Sequence, residues 1–124
     1  MYLLLETHIF YWWATNRRLP VRAAQLIGQA DEIYVSSVCI WELAIKARRG
    51  KLLIDFNRLI EEIAKAGFHE LRVQFSHAAL VATLPAIHFD PFDRLLVAQA
   101  VCESLLLVTV DKQLPAYSKL VQLV

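Results

Sequence analysis

Four carboxylates distant in the sequence stand where they can meet. Glu6 closes the apolar run Tyr2-Leu3-Leu4-Leu5, and Asp111 closes a second run over residues 105–110. Asp93 falls in the first turn of the helix expected to feed that second run. Glu42 lies inside another helix, between Trp41 and Leu43, with Val38 and Ile45 on its own side. In open α/β sheets, ligands bind beyond the carboxyl ends of the strands, which is where Glu6 and Asp111 fall. Carboxylates gathered there suit a hard divalent cation, since Mg²⁺ takes a few carboxylates and keeps several waters. Two such ions about 4 Å apart can activate a water and stabilise the leaving oxygen in phosphodiester hydrolysis. Each acid also has a plainer explanation. Glu6 can be a strand-end residue at the water boundary, and Asp111, before Lys112, a loop acid. Glu42 and Lys46 form an i, i+4 pair in the favourable orientation, worth a few tenths of a kcal/mol. Asp90 and Asp93 suit a helix start so well that capping alone accounts for both.

The elements that must position these acids are legible from the periodicity. Tyr2 to Leu5 is continuously apolar, as in a strand buried on both faces. Further strands are expected at residues 32–35, 71–73, 105–110 and 120–123. Pro20 suits the first turn of a helix over residues 20–29. Ser36 or Ser37 caps a helix that runs to Arg49 and stops at Gly50, and Asp55 caps another that ends before Gly67. Ser76 is the expected cap of a helix ended near Pro85. Asp90-Pro91-Phe92-Asp93 supplies an N-cap, a first-turn proline and an N3 carboxylate for a helix to about Glu103. Strands alternating with helices, and strands apolar throughout, indicate an α/β fold with a parallel sheet covered on both faces.

At 124 residues, one domain over 1–124 is expected. The formal charge of +1 excludes a strongly basic nucleic-acid binder on totals. That balance hides two populations. Setting aside Glu6, Glu42, Asp93 and Asp111 leaves 8 of the 12 acids against 13 basic residues, a balance of +5. The apolar stretch from Leu95 to Val110 is broken by Gln99, Glu103 and Ser104 and is too short for a membrane span. The N-terminus carries Glu6 and no basic region, so no signal peptide is expected. Cys39 and Cys102 sit in apolar company without Cys-x-x-Cys spacing, which reads as two buried thiols in a reducing cytoplasm. No Gly-rich phosphate loop or nucleophile elbow is present. A phosphoacceptor domain would need an Asp ending a middle strand, and Val35-Ser36 and Val73-Gln74 offer none.

Four segments resemble the motifs of PIN-domain proteins, in order, and most closely the VapC-type toxins of toxin–antitoxin pairs. They are Leu3-Leu4-Leu5-Glu6-Thr7-His8, residues 35–46 (VSSVCIWELAIK), residues 90–100 (DPFDRLLVAQA) and Leu107-Val108-Thr109-Val110-Asp111. The resemblance covers nearly the whole chain. It implies a three-layer α/β/α fold around a mostly parallel sheet of about five strands. It also implies an endoribonuclease dependent on Mg²⁺ or Mn²⁺, acting as a homodimer and neutralised by a cognate VapB-like antitoxin. The family's acidic cluster falls on Glu6, Glu42, Asp93 and Asp111, as catalytic residues and metal ligands: the resemblance makes Glu6 and Asp93 the main ligands, with Glu42 holding metal or water and Asp111 completing the shell. Thr7 and Thr109 stand where hydroxyls orient ligands or bind phosphate. One departure matters: the family has Asp where this chain has Glu6. The extra methylene carries the carboxylate about one bond length further, whereas catalytic constellations tolerate errors of about 0.5 Å. A catalytically impaired module that binds antitoxin or RNA is therefore the alternative expectation.

Other features admit two explanations each. Arg17, Arg18 and Arg22, then Lys46, Arg48, Arg49 and Lys51, form either a rim for an RNA backbone or ordinary solvated helix faces. Arg94 is expected to neutralise the acidic cluster or bridge to Asp90. Tyr11-Trp12-Trp13 reads as core or interface rather than a base-stacking block. His8, His69, His77 and His88 show no zinc-ligand spacing. His8 lies close enough to Glu6 to contact the site, although a structural role is the plainer one.

Overall fold

The computed structural model describes all of residues 1–124. Five strands form one sheet: β1 (Tyr2–Leu5), β2 (Glu32–Ser36), β3 (His69–Leu71), β4 (Leu106–Thr109) and β5 (Val121–Leu123). Every pairing is parallel and the order is β3-β2-β1-β4-β5. Six α-helices connect and flank them: α1 (Thr7–Ala14), α2 (Val21–Gln29), α3 (Ser37–Arg48), α4 (Phe56–Lys65), α5 (Phe75–Leu80) and α6 (Pro91–Glu103). Right-handed crossovers put the helices of β1→β2→β3 on one face and those of β3→β4→β5 on the other. This is the three-layer α/β/α architecture. Leu3, Leu4 and Leu5 of β1 are fully buried, as the uninterrupted apolar run requires of a central strand covered on both faces. No helix is long and apolar enough to cross a membrane.

The order places a switch point between β1 and β4: the chain leaves β1 toward β2 and leaves β4 toward β5, in opposite directions. A crevice opens there, beyond the strand ends. Register brings the two ends level, with Leu5 opposite Val108 and the Glu6 amide donating to the Val108 carbonyl at 3.0 Å. Helix starts follow the expected chemistry. Ser36 accepts from the Val38 amide at 3.0 Å and Asp55 from the Arg58 amide at 3.2 Å. Asp90 accepts from Phe92 and Asp93 amides at 2.8 and 3.2 Å, with Pro91 in the first turn of α6. Helix α6 stops at Ser104, which adopts the left-handed conformation (φ 54°) usually left to glycine.

The structure corrects several sequence expectations. The aromatic block lies on α1, a helix not marked by periodicity. The block itself is partly buried core, as expected: Trp13 stacks against Phe10 and packs on Phe68. Strand β3 is His69–Leu71, not residues 71–73, because pairing to Tyr34–Ser36 sets its register. Helix α5 is capped at Gln74, where the His77 ring accepts from the Gln74 amide at 3.0 Å, leaving Ser76 inside the helix. Cys39 is buried, but Cys102 is exposed, since its turn of α6 faces away from the sheet. Neither forms a disulfide.

Candidate active site

Glu6, the first residue beyond β1, is buried, and its carboxylate turns onto the start of α1. It accepts from the His8 amide at 3.0 Å and meets His8 Nδ1 at 2.8 Å. Glutamate is an uncommon N-cap. Here the longer side chain reaches back to the N-terminus of α1, whose dipole favours the negative charge. The hydrogen bond that the His8 ring donates to Glu6 raises the His8 pKa above its ordinary 6.5, against the opposing effect of burial.

Thr7, also buried, donates from Oγ1 to Glu42 Oε1 at 2.8 Å. The other Glu42 oxygen meets Lys46 Nζ at 3.2 Å. The i, i+4 pair is therefore real, but Glu42 is only 7% exposed, so its carboxylate belongs to the interior edge of the crevice. On the far side, Thr109 at the end of β4 accepts from the Asp111 amide at 3.0 Å, fixing the turn that presents Asp111. The Asp111 carboxylate accepts from the Gln113 amide at 2.9 Å and meets His88 Nε2 at 3.0 Å.

Asp93 sits between these groups, 8% exposed, in the first turn of α6. Its ion-pair-range contact is His88 Nε2 at 3.8 Å. Burial pushes its pKa up to about 8, and the charges of Asp90, Glu6, Glu42 and Asp111 add to the effect. The four predicted acids thus share one electrostatic neighbourhood, although not one hydrogen-bonded cluster. Potential ligand atoms of His88, Asp93 and Asp111 lie within 4.8 Å of one another. Glu6 and Glu42 stand outside that group, with their oxygens engaged by His8, Thr7 and Lys46. A buried carboxylate with other acids close by suits a hard divalent cation.

His88 is the residue that sequence reasoning missed. The one local signal was its place two residues before the α6 cap, where its ring receives the Asp90 amide at 3.0 Å. Arg94 departs from expectation: its guanidinium neutralises no acid and does not bridge to Asp90. It donates to the Pro85, Val81 and Leu84 carbonyls at 2.8, 3.2 and 3.3 Å and to the Tyr117 hydroxyl at 3.1 Å. The Val81 and Pro85 carbonyls also accept the Leu84 and Ile87 amides, so Arg94 supplies them a second donor, and the Asp90 carboxylate is already engaged by the Phe92 and Asp93 amides. Arg17, Arg18, Arg48 and Arg49 are all exposed. Arg17 lies over the Tyr11 ring, 5.5 Å from its centroid. With Lys46 it borders a recess of about 190 Å³ that reaches Thr7 and His8 beside the crevice.

Fold and site together define an α/β/α protein with an acidic crevice at the switch point of a parallel sheet. Residues 3–120 match the PIN domain, and the chain belongs to the PIN-domain family. It is 31% identical over 122 residues to Ribonuclease VapC22 of Mycobacterium tuberculosis, covering 93% of this chain and 91% of that one. Solved structures share the fold at lower identity. One is VapBC2 from Rickettsia felis bound to a DNA fragment from their promoter (TM-score 0.71, 16% identity, 98% of each chain). A second is a toxin–antitoxin complex from Klebsiella pneumoniae (TM-score 0.69, 18% identity, 97% of this chain and 95% of that one). A third is FitAcB from Neisseria gonorrhoeae (TM-score 0.63, 22% identity, 92% and 90%).

Proposed function

We propose that this protein is a VapC-like toxin: a divalent-cation-dependent endoribonuclease, held in check by a VapB-like antitoxin and working in the cytoplasm as a homodimer. The observation that carries the proposal is Asp93, a buried carboxylate raised to about 8 amid four other acids at the strand-end crevice. Membership of the PIN-domain family and the likeness to Ribonuclease VapC22 support the same activity. Exposed Phe75, Phe89 and Leu53 offer apolar surface of the kind that partner proteins cover.

Asp93 and Asp111 would hold the cation, Mg²⁺ or Mn²⁺, with Glu42 and Glu6 completing its surroundings directly or through water. When bound, it supplies an activated water and neutralises charge on the phosphodiester oxygens. The chain's own residues supply alignment. Thr7 and Lys46 hold the Glu42 carboxylate in one orientation, and Thr109 and Gln113 hold Asp111. Asp90 fixes the first turn of α6 and so the direction of Asp93. Arg17, Arg18, Arg48 and Arg49 are available to the RNA backbone, with affinity that falls as salt rises.

The test is cleavage of single-stranded RNA by the purified protein. Activity requiring Mg²⁺ or Mn²⁺, abolished by EDTA and by Asp93→Asn, is expected. Undiminished activity in Asp93→Asn or in EDTA would contradict the residue assignment. One observation favours a second reading, a binding module with impaired cleavage. The Glu6 carboxylate is committed to His8 and the N-terminus of α1. Glu6→Asp separates the two: a large gain in rate marks the present chain as impaired, and equal rates mark Glu6 as competent.

A further inference from the structure

We infer that His88 is a positioning residue whose ring donates an Nε2–H to Asp111, and that it is not a ligand of the cation. The inference rests on reading the crevice as a cation site, and it follows from counting hydrogens. A neutral imidazole has one nitrogen that donates and one that accepts. The Asp90 backbone amide can only donate, and it points at His88 Nδ1 from 3.0 Å. Nδ1 therefore offers a lone pair, and the ring hydrogen belongs to Nε2. That nitrogen lies 3.0 Å from Asp111 Oδ2, an acceptor, and 3.8 Å from Asp93 Oδ2, beyond hydrogen-bond reach. A ligating Nε2 would need its hydrogen moved to Nδ1, where it would confront the Asp90 N–H. Turning the ring over would replace both bonds with C–H groups. The three residues whose potential ligand atoms lie within 4.8 Å thus divide into two ligands and one donor that aims Asp111.

The surroundings hold His88 to this task from its backbone outward. The Tyr117 hydroxyl receives the His88 amide at 2.8 Å and donates to the His88 carbonyl at 3.2 Å. Arg94 Nη1 braces that hydroxyl at 3.1 Å and reaches the same carbonyl at 3.5 Å. Asp111 is then gripped on both oxygens, Oδ1 by the Gln113 amide at 2.9 Å and Oδ2 by His88. Each carboxylate oxygen retains a second lone pair for a cation. The ligand set left in the crevice is all oxygen, as a hard cation prefers.

The experiment reads the ring and the metal separately. Long-range ¹H–¹⁵N NMR of the metal-free protein is expected to show His88 protonated on Nε2 and bare on Nδ1; a proton on Nδ1 would overturn the assignment. With Mn²⁺ as the probe, pulsed EPR is expected to show no directly bound nitrogen. His88→Ala is expected to weaken Mn²⁺ binding by about tenfold, at the lower end of what orienting partners contribute. His88→Gln, which returns an N–H at the reach of Nε2, is expected to restore most of that loss. A bound nitrogen, unchanged affinity in His88→Ala, or no recovery in His88→Gln would each refute the positioning role. If the parent protein binds no Mn²⁺, the cation reading fails, and the ring's protonated nitrogen still decides the donor assignment.

Discussion

Replacing Asp93 by Asn should change how stability depends on pH, and the direction follows from the site. The folded protein holds the Asp93 carboxyl at about 8, against an ordinary value of 3.8. Between those values the native state keeps a proton that the unfolded chain has released. Stability therefore falls as pH rises through that window, and the penalty is complete above it. Each pH unit of displacement corresponds to about 1.4 kcal/mol, so the ceiling is on the order of 6 kcal/mol. Relaxation and water entry reduce the cost of a buried ion to several kcal/mol. We expect the parent protein to lose about 2–4 kcal/mol between pH 5 and pH 8.5, a large part of a typical domain's 5–15 kcal/mol. Asn has nearly the same shape and cannot ionise. Urea denaturation in EDTA, followed by tryptophan fluorescence, should find the two chains similar at pH 5. At pH 8.5 the variant should be more stable by about that same 2–4 kcal/mol. His8 adds a separate contribution, because its pKa is raised above 6.5. That contribution is present at low pH and is lost as pH rises through the folded value, but both chains share it. Mg²⁺ should restabilise the parent at pH 8.5 and leave the variant unchanged. A difference between the chains that does not vary with pH, or a variant less stable at pH 8.5, would refute the reasoning.

Three further outcomes follow from single contacts. Thr7→Val removes the hydroxyl donor of buried Glu42 and should lower stability by about 1.5–3 kcal/mol in urea, whereas Thr7→Ser should retain most of it. Arg94→Ala removes five hydrogen bonds that tie residues 81–88 and Tyr117 to α6, and leaves the Leu84 carbonyl without a donor. A loss on the order of 3 kcal/mol is expected, with faster amide hydrogen exchange at His88. At pH 8 a thiol reagent should label exposed Cys102 in the native protein and spare Cys39, whose thiol burial pushes up to about 12; equal labelling rates would contradict the assignment.

Local chemistry was legible where one short segment decides the outcome. Asp90-Pro91-Phe92-Asp93 carries its own cap, first-turn proline and site carboxylate, so both the start of α6 and the candidate role of Asp93 could be read directly. Ser36 and Asp55 marked their helices in the same way, and the unbroken apolar runs marked β1 and β4. Helix α1 was hidden because THIFYWWA is apolar on nearly every side and is capped by an unusual Glu. Strand β3 is short, and its limits come from pairing with β2 rather than from its own residues. Cys102 has apolar neighbours in sequence, but it falls in the last turn of α6, where residues 101–104 are all exposed. His88 and Arg94 were illegible for a common reason. Their partners, Asp111, Tyr117 and the carbonyls of residues 81–88, come together only when α6 packs beside β4.

The most direct measurement is anomalous diffraction from a crystal of this protein soaked in Mn²⁺. A site is expected at the β1–β4 switch point, contacted by carboxylate oxygens of Asp93 and Asp111. His88 should remain hydrogen-bonded to Asp111 outside the metal's coordination shell. Manganese bound only elsewhere on the surface, or absent at millimolar soak, would contradict the assignment of that crevice as the catalytic centre.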